Sequence, residues 1–217
     1  CPFHYFGITD IDIDGEIGDI SSFSQLTSDK RVEHILERAE YYGYSGDRVK
    51  GLIFCSTKKE ASELSKKFNE TGRYSTIMLC GENSQEERES AVERLVTTNH
   101  PHKLDYIFTV DIFNEGVDIP EINQVIMLRP TESPIIFVQQ LGRGLRKADG
   151  KEFVIVIDFI GNYQNNYMIP IALSGDRTGN KDNIRRSLME GNNLIQGAST
   201  IYFDEVSRKK IYESIDA

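Results

Sequence analysis

Short, almost continuous apolar runs alternate with helical patterns through the middle of this 217-residue sequence. The first run, 49–55, lies between Gly46 and Ser56, and a run bounded in this way predicts a buried strand. The predicted strands are 49–55, 74–80, 104–110, 124–128 and 152–159. Because parallel strands joined by helices are covered on both faces, we expect a three-layer α/β core with a mainly parallel sheet over residues 48–160.

Helical patterns occupy three of the segments between these strands. Residues 58–69 repeat apolar positions three and four apart, which predicts an amphipathic helix. Residues 84–87 have the sequence of a capping box, which predicts the start of a second helix. A serine–proline pair opens a third predicted helix over about 133–146, because proline is well tolerated in the first helical turn.

The segments on either side of the core contain fewer elements. We predict a strand at 4–8 and a helix at 29–42 before the core, then a helix at 182–190, a strand at 199–203 and a terminal helix after it. We therefore divide the chain into residues 1–47, a lead-in strand and helix; 48–160, the core domain; and 161–217, a C-terminal extension of unassigned function.

Charge and composition exclude several classes of protein. The sequence has a net charge of −9, which argues against an extended basic surface that coats nucleic acid non-specifically. No run approaches the ~18 apolar residues of a membrane span. The three cysteines are scattered without a CxxC pair, so we expect no metal site and a reducing cytoplasm. Cys55 and Cys80 each end an apolar run, so we expect these two thiols to be buried. Because the sequence opens on Cys1 and soon enters a predicted strand, we expect a piece of a longer protein.

Two arginines, Arg143 and Arg146, lie three residues apart near a predicted helix end, beside Gly142. Planar guanidinium groups placed on one side of a helix suit the oxygens of a polyphosphate, and a neighbouring glycine permits close approach. The alternative is a solvated helix C-terminus, where arginine is favoured by the helix dipole.

Further candidates follow the predicted strands, at the edge where open α/β sheets bind ligands. Gly116 and Asp118 lie in a short loop that could hold a ribose hydroxyl, although the loop could equally be an ordinary connection. Ser56 and Thr57 lie between a strand and a helix and could bind a phosphate, or Thr57 could simply cap the helix. Gly81 occupies the corresponding place after the second strand, with the same alternative.

Taken together and in order, four segments resemble motifs of superfamily 2 helicases. They are IFCST at 53–57, CGENSQEER at 80–88, TVDIFNEGVDIP at 109–120 and QQLGRGLR at 139–146. They match the second, C-terminal RecA-like domain of these motors over about residues 48–160. The flanking HYFGI, DFIGNY and IPIALSGDR are similar to segments of bacterial multidomain members related to type III restriction subunits.

The resemblance implies roles for individual residues. Arg143 and Arg146 would be arginine fingers, and Gln139 would either orient the transferring phosphoryl group or sense the nucleotide. Gly116, Asp118 and Gly142 would line the ATP cleft. The nucleic-acid backbone would be contacted by Ser56, Thr57, Gly81 and Thr109.

The resemblance also implies an ATP-dependent helicase or translocase that acts on nucleic acid, with DNA as the expected strand. ATP and Mg²⁺ would be held by an N-terminal RecA-like domain of the same polypeptide. Because this sequence has no GxxxxGKS or GxxxxGKT phosphate loop, we expect the domain to be inactive alone. Two alternatives stay open: a non-catalytic RecA-like interaction module and a Rossmann-like nucleotide-binding enzyme.

Overall fold

The structure, a computed structural model, describes residues 1–11, 23–110, 119–129, 146–160, 182 and 199–216. The strands are β1 (Phe3–Thr9), β2 (Gly51–Phe54), β3 (Thr76–Leu79), β4 (Tyr106–Thr109), β5 (Gln124–Met127), β6 (Val154–Ile160) and β7 (Thr200–Phe203). The helices are α1 (Phe23–Leu26), α2 (Asp29–Tyr42), α3 (Lys58–Glu70), α4 (Gln85–Val96) and α5 (Glu205–Asp216). The helices predicted at 133–146 and 182–190 fall almost entirely outside the described residues.

All seven of these strands form one sheet in the order β3-β4-β2-β5-β6-β1-β7. Every neighbouring pair is parallel, which confirms the predicted α/β architecture. The first strand of the chain lies between β6 and β7, so segments on both sides of the predicted core contribute to the same sheet. The division of the chain at 47/48 and 160/161 stays a prediction.

Helices cover both faces of the sheet and complete three layers. Apolar residues of α2 and α3 pack with one set of strand residues, and those of α4 and α5 pack with the alternate set. This alternation follows from the period of two along a strand. Packing is close where β2 begins, because a Cβ at Gly51 would lie 2.2 Å from the ring of Tyr106.

Hydroxyl side chains define where the helices begin. Ser28, Thr57 and Ser84 are the N-caps of α2, α3 and α4, and each accepts a hydrogen bond from an amide in the first helical turn. Such caps satisfy donors that have no partner within the helix. Helices α3 and α4 therefore start where the sequence predicts, shortly after the carboxyl ends of β2 and β3.

The predicted burial of two cysteines is confirmed, since Cys55 and Cys80 are both buried. No helix in the described part of the chain combines the length and apolar character that a membrane crossing requires.

Candidate nucleic-acid interface

The carboxyl ends of β3, β4 and β2 lie side by side in the sheet. Thr109 at the end of β4 is in register with Leu79 of β3 and with Phe54 of β2. The ends of these three strands therefore lie at one edge of the sheet. The structure brings together at this edge the four residues predicted to contact nucleic acid, which are Ser56, Thr57, Gly81 and Thr109.

The loop between β2 and α3 presents exposed hydroxyl groups at the start of a helix. Ser56 and Thr57 are both exposed, and the Thr57 hydroxyl oxygen accepts the Glu60 amide hydrogen at 3.2 Å. The amide of Ser56 donates to Glu60 Oε2 at 3.0 Å, so that this N–H is already satisfied. Thr57 is the N-cap and Lys58 the first residue of α3, and amides at these positions have no acceptor within the helix. The helix cap is thus confirmed, and these two amides are the donors that an anion could reach.

The loop between β3 and α4 is held by its own polar groups. Asn83 Oδ1 accepts the Cys80 amide hydrogen at 2.8 Å, and Arg88 Nη2 donates to the exposed Gly81 carbonyl at 3.0 Å. The predicted capping box is confirmed, because Ser84 and Glu87 each accept the other's amide hydrogen. The hydrogen bond from the Ser84 amide, with a smaller one from Asn83, lowers the pKa of Glu87. These bonds hold Gly81 at the sheet edge.

An exposed ion pair joins the two loops. Lys58 Nζ at the start of α3 lies 2.6 Å from Glu82 Oε1, the residue after Gly81. The hydrogen bond raises the pKa of Lys58 and lowers the pKa of Glu82. Because both side chains face water, a passing phosphate can compete with the Glu82 carboxylate for the Lys58 ammonium.

Thr109 differs from the other three residues because it is fully buried. Its carbonyl accepts the Cys55 amide hydrogen at 3.0 Å, and its hydroxyl has no partner among the described residues. Thr109 therefore lies beneath the edge, with the exposed loops of Ser56 and Gly81 on either side. Its contact with a nucleic-acid strand stays a prediction.

Most residues predicted to bind ATP or to assist its hydrolysis lie outside the described part of the chain. These are Gln139, Gly142 and Arg143 in one segment, and Gly116 and Asp118 in another. Arg146 is described and is exposed. The described residues contain no group of three or more histidine, cysteine, aspartate and glutamate side chains arranged to hold a metal ion.

Comparison with known proteins decides the family. The model for the helicase conserved C-terminal domain matches residues 29–148, which is more than half of the chain. The chain belongs to the helicase C-terminal domain family. It is the C-terminal RecA-like domain of a superfamily 2 helicase, which confirms the resemblance noted in the sequence.

Individual relatives of this helicase domain are distant in sequence. The putative ATP-dependent helicase IRC3 of Saccharomyces cerevisiae is 26% identical over 163 residues, which cover 70% of this chain and 23% of that protein. The type I restriction enzyme EcoKI endonuclease subunit of Escherichia coli is 29% identical over 119 residues, covering 51% of this chain and 10% of that subunit. The chain spans less than a quarter of the length of both relatives.

Solved structures show the same fold. The crystal structure of the yeast DEAD-box splicing factor Prp28 superimposes with a TM-score of 0.62 at 16% identity, covering 96% of this chain and 36% of that one. At this identity the similarity supports the three-layer architecture and the order of the elements.

The helicase domain also contains a buried charged cluster that the sequence analysis missed. Arg31 of α2 donates from Nε to both oxygens of Asp10 at 3.1 and 3.0 Å, and from Nη1 to Glu60 Oε1 at 3.0 Å. All three side chains are at most 2% exposed. Burial alone would lower the pKa of Arg31, but the two carboxylates raise it above its ordinary value. The spacing Thr57-x-x-Glu60, a capping-box pattern, is the signal that could have drawn attention to Glu60.

Proposed function

We propose that this domain is the second motor domain of an ATP-dependent helicase or translocase that acts on DNA. The observation that carries the proposal is the convergence of the β2, β3 and β4 loop ends at one edge, within the segment that matches the helicase family. Stepping along a strand requires contacts that open and close as two motor domains move relative to each other. Exposed hydroxyl and amide groups on short loops are suited to that task.

The proposed strand contact uses few groups and little net charge. Ser56 and Thr57 offer hydroxyls, Thr57 and Lys58 offer amides, and Gly81 lets a backbone approach closely. Groups of this kind bind phosphate oxygens without reading bases. A chain with a net charge of −9 can therefore take part in nucleic-acid binding, although we expect the isolated domain to bind weakly.

The residues proposed to assist ATP hydrolysis are those that would face the other motor domain. ATP, when bound there, supplies a γ-phosphoryl group that is transferred to water. Arg143 and Arg146 would donate to the oxygens on which charge develops, and Gln139 would orient them. Of these, Arg146 is described and exposed, as a side chain that reaches into a neighbouring domain must be. On the other side of the cleft, Gly116, Asp118 and Gly142 would lie against the nucleotide.

Mg²⁺ would be held by carboxylates of the N-terminal motor domain, so we assign no residue of this chain to the metal. DNA is proposed as the strand because the matched E. coli relative is a subunit of a restriction enzyme and the flanking segments are similar to restriction subunits. RNA is the other outcome of the test. The scattered free cysteines, of which Cys55 and Cys80 are buried, support a reducing, cytoplasmic location.

The test is ATP hydrolysis by the full-length protein, with single-stranded DNA, single-stranded RNA or neither added. We expect single-stranded DNA to stimulate hydrolysis and the 217-residue chain alone to show none. Stimulation by single-stranded RNA alone would show that the protein acts on RNA and not on DNA. A full-length protein without hydrolysis under any of these conditions would favour a non-catalytic RecA-like interaction module.

A further inference from the structure

Glu60 places a carboxylate directly under the loop that is proposed to bind a phosphate. The side chain is buried, and its Oε2 accepts the Ser56 amide hydrogen at 3.0 Å. Glu60 also lies in the first turn of α3, where the helix dipole favours a negative charge. The same helix end offers the Thr57 and Lys58 amides to an external anion. An internal carboxylate therefore competes electrostatically with a bound phosphate for this helix N-terminus.

Arg31 is positioned to offset this competing charge locally, although it shares its one positive charge between Glu60 and Asp10. Its Nη1 lies 3.0 Å from Glu60 Oε1 and also donates to the Leu26 carbonyl at 2.8 Å, while Nε and Nη2 contact Asp10. Four separate acceptor atoms hold the group in place, and it is 1% exposed. Lys58 and Lys59 are the other cations of the first turn of α3. Both are exposed, so solvent and salt weaken their attraction to Glu60.

We propose that Arg31 is a positioning residue for nucleic-acid binding, which offsets the negative charge of Glu60 so that the Ser56–Thr57 loop can accept a backbone phosphate. This role rests on the proposed function. It makes α2 part of the binding machinery, because Arg31 acts through Glu60 and the Ser56 amide.

Two variants of the full-length protein that differ only in the charge of Glu60 test the proposal. The first is Arg31→Met with Asp10→Asn, which removes the cation and its other carboxylate partner but leaves the Glu60 carboxyl in place. The second adds Glu60→Gln, whose amide oxygen can still accept the Ser56 N–H. The measurement is the Kd for a fluorescently labelled 20-nucleotide oligo-dT, at a temperature where thermal unfolding shows every variant to be folded.

We expect the first variant to bind at least about tenfold more weakly than the wild type, and the second to return to within about threefold. The difference should shrink between 50 and 300 mM salt, because it is electrostatic, whereas a merely structural defect would not respond to salt. Wild-type binding by the first variant, or equal weakening of both at all salt concentrations, would overturn the role of Arg31.

Glu60→Gln alone keeps the proposal testable if the first variant does not fold. With Arg31 still in place, loss of the carboxylate should tighten oligo-dT binding at least about twofold. Unchanged or weaker binding would overturn the proposal. A wild-type protein that binds neither oligo-dT nor an RNA oligonucleotide would instead refute the proposed function, so the two failures are distinguishable.

Discussion

The Tyr5 hydroxyl donates a 2.7 Å hydrogen bond to Asp158 Oδ2 inside the sheet. Tyr5 lies on β1 and Asp158 on the neighbouring strand β6, and both side chains are at most 2% exposed. Burial raises the pKa of Asp158 to about 7, against the opposing effect of the Tyr5 hydrogen bond. A carboxyl group with a pKa near neutral pH is thus buried where the first strand of the chain, β1, pairs with β6.

The stability of the domain should depend on pH through Asp158. In the unfolded chain this carboxyl has its ordinary pKa near 3.8, so between about pH 4 and 7 the folded state binds more protons than the unfolded state. Stability contributed by the protonated group is therefore lost as the pH rises. We expect a loss of about 2 kcal/mol between pH 5 and pH 7.5, measured by urea denaturation.

Asp158→Asn should remove this contribution, because the amide oxygen still accepts from Tyr5 but does not titrate. The free energy of unfolding of the variant should rise relative to the wild type as the pH increases from 5 to 7.5. Glu93→Gln, which replaces an exposed carboxyl on α4, is the matched control and should follow the wild type. Parallel pH profiles for wild type and Asp158→Asn would contradict the raised pKa.

Thr57 should contribute both to stability and to strand binding. Thr57→Ala removes the hydroxyl that caps the Glu60 amide, which should lower the free energy of unfolding by about 1 kcal/mol. It also removes a proposed phosphate contact, so the full-length protein should bind oligo-dT about fivefold more weakly. Thr57→Ser keeps the hydroxyl and should restore both values. A loss of stability without any change in Kd would limit Thr57 to the role of helix cap.

Lys58 should contribute one charge to strand binding. Lys58→Gln in the full-length protein should reduce the slope of log Kd against log salt concentration by about 1, with little change in the unfolding midpoint. Glu82→Gln should instead strengthen binding, because it releases Lys58 from the 2.6 Å ion pair. Lys66→Gln, at an exposed lysine in the second half of α3, should leave the salt slope unchanged. Equal slopes for Lys58→Gln and wild type would place Lys58 outside the interface.

Local patterns in the sequence predicted most of the described elements. The apolar run at 49–55 became β2, and the capping box at 84–87 formed as expected, because both depend on neighbours within a few residues. The position of β1 beside β6 was not predicted, since pairing across 151 residues leaves no local pattern. The contact of Arg31 with Glu60 was missed for the same reason: the two residues are 29 positions apart, and no local pattern links one to the other.

Steady-state ATP hydrolysis by the full-length protein with single-stranded DNA tests the proposed arginine fingers most directly. Arg143→Ala and Arg146→Ala should each lower kcat at least about tenfold, because each removes a donor to the developing charge. Lys147→Ala, at the exposed cation next to Arg146, should retain the wild-type rate. Wild-type kcat in both arginine variants would contradict the assignment.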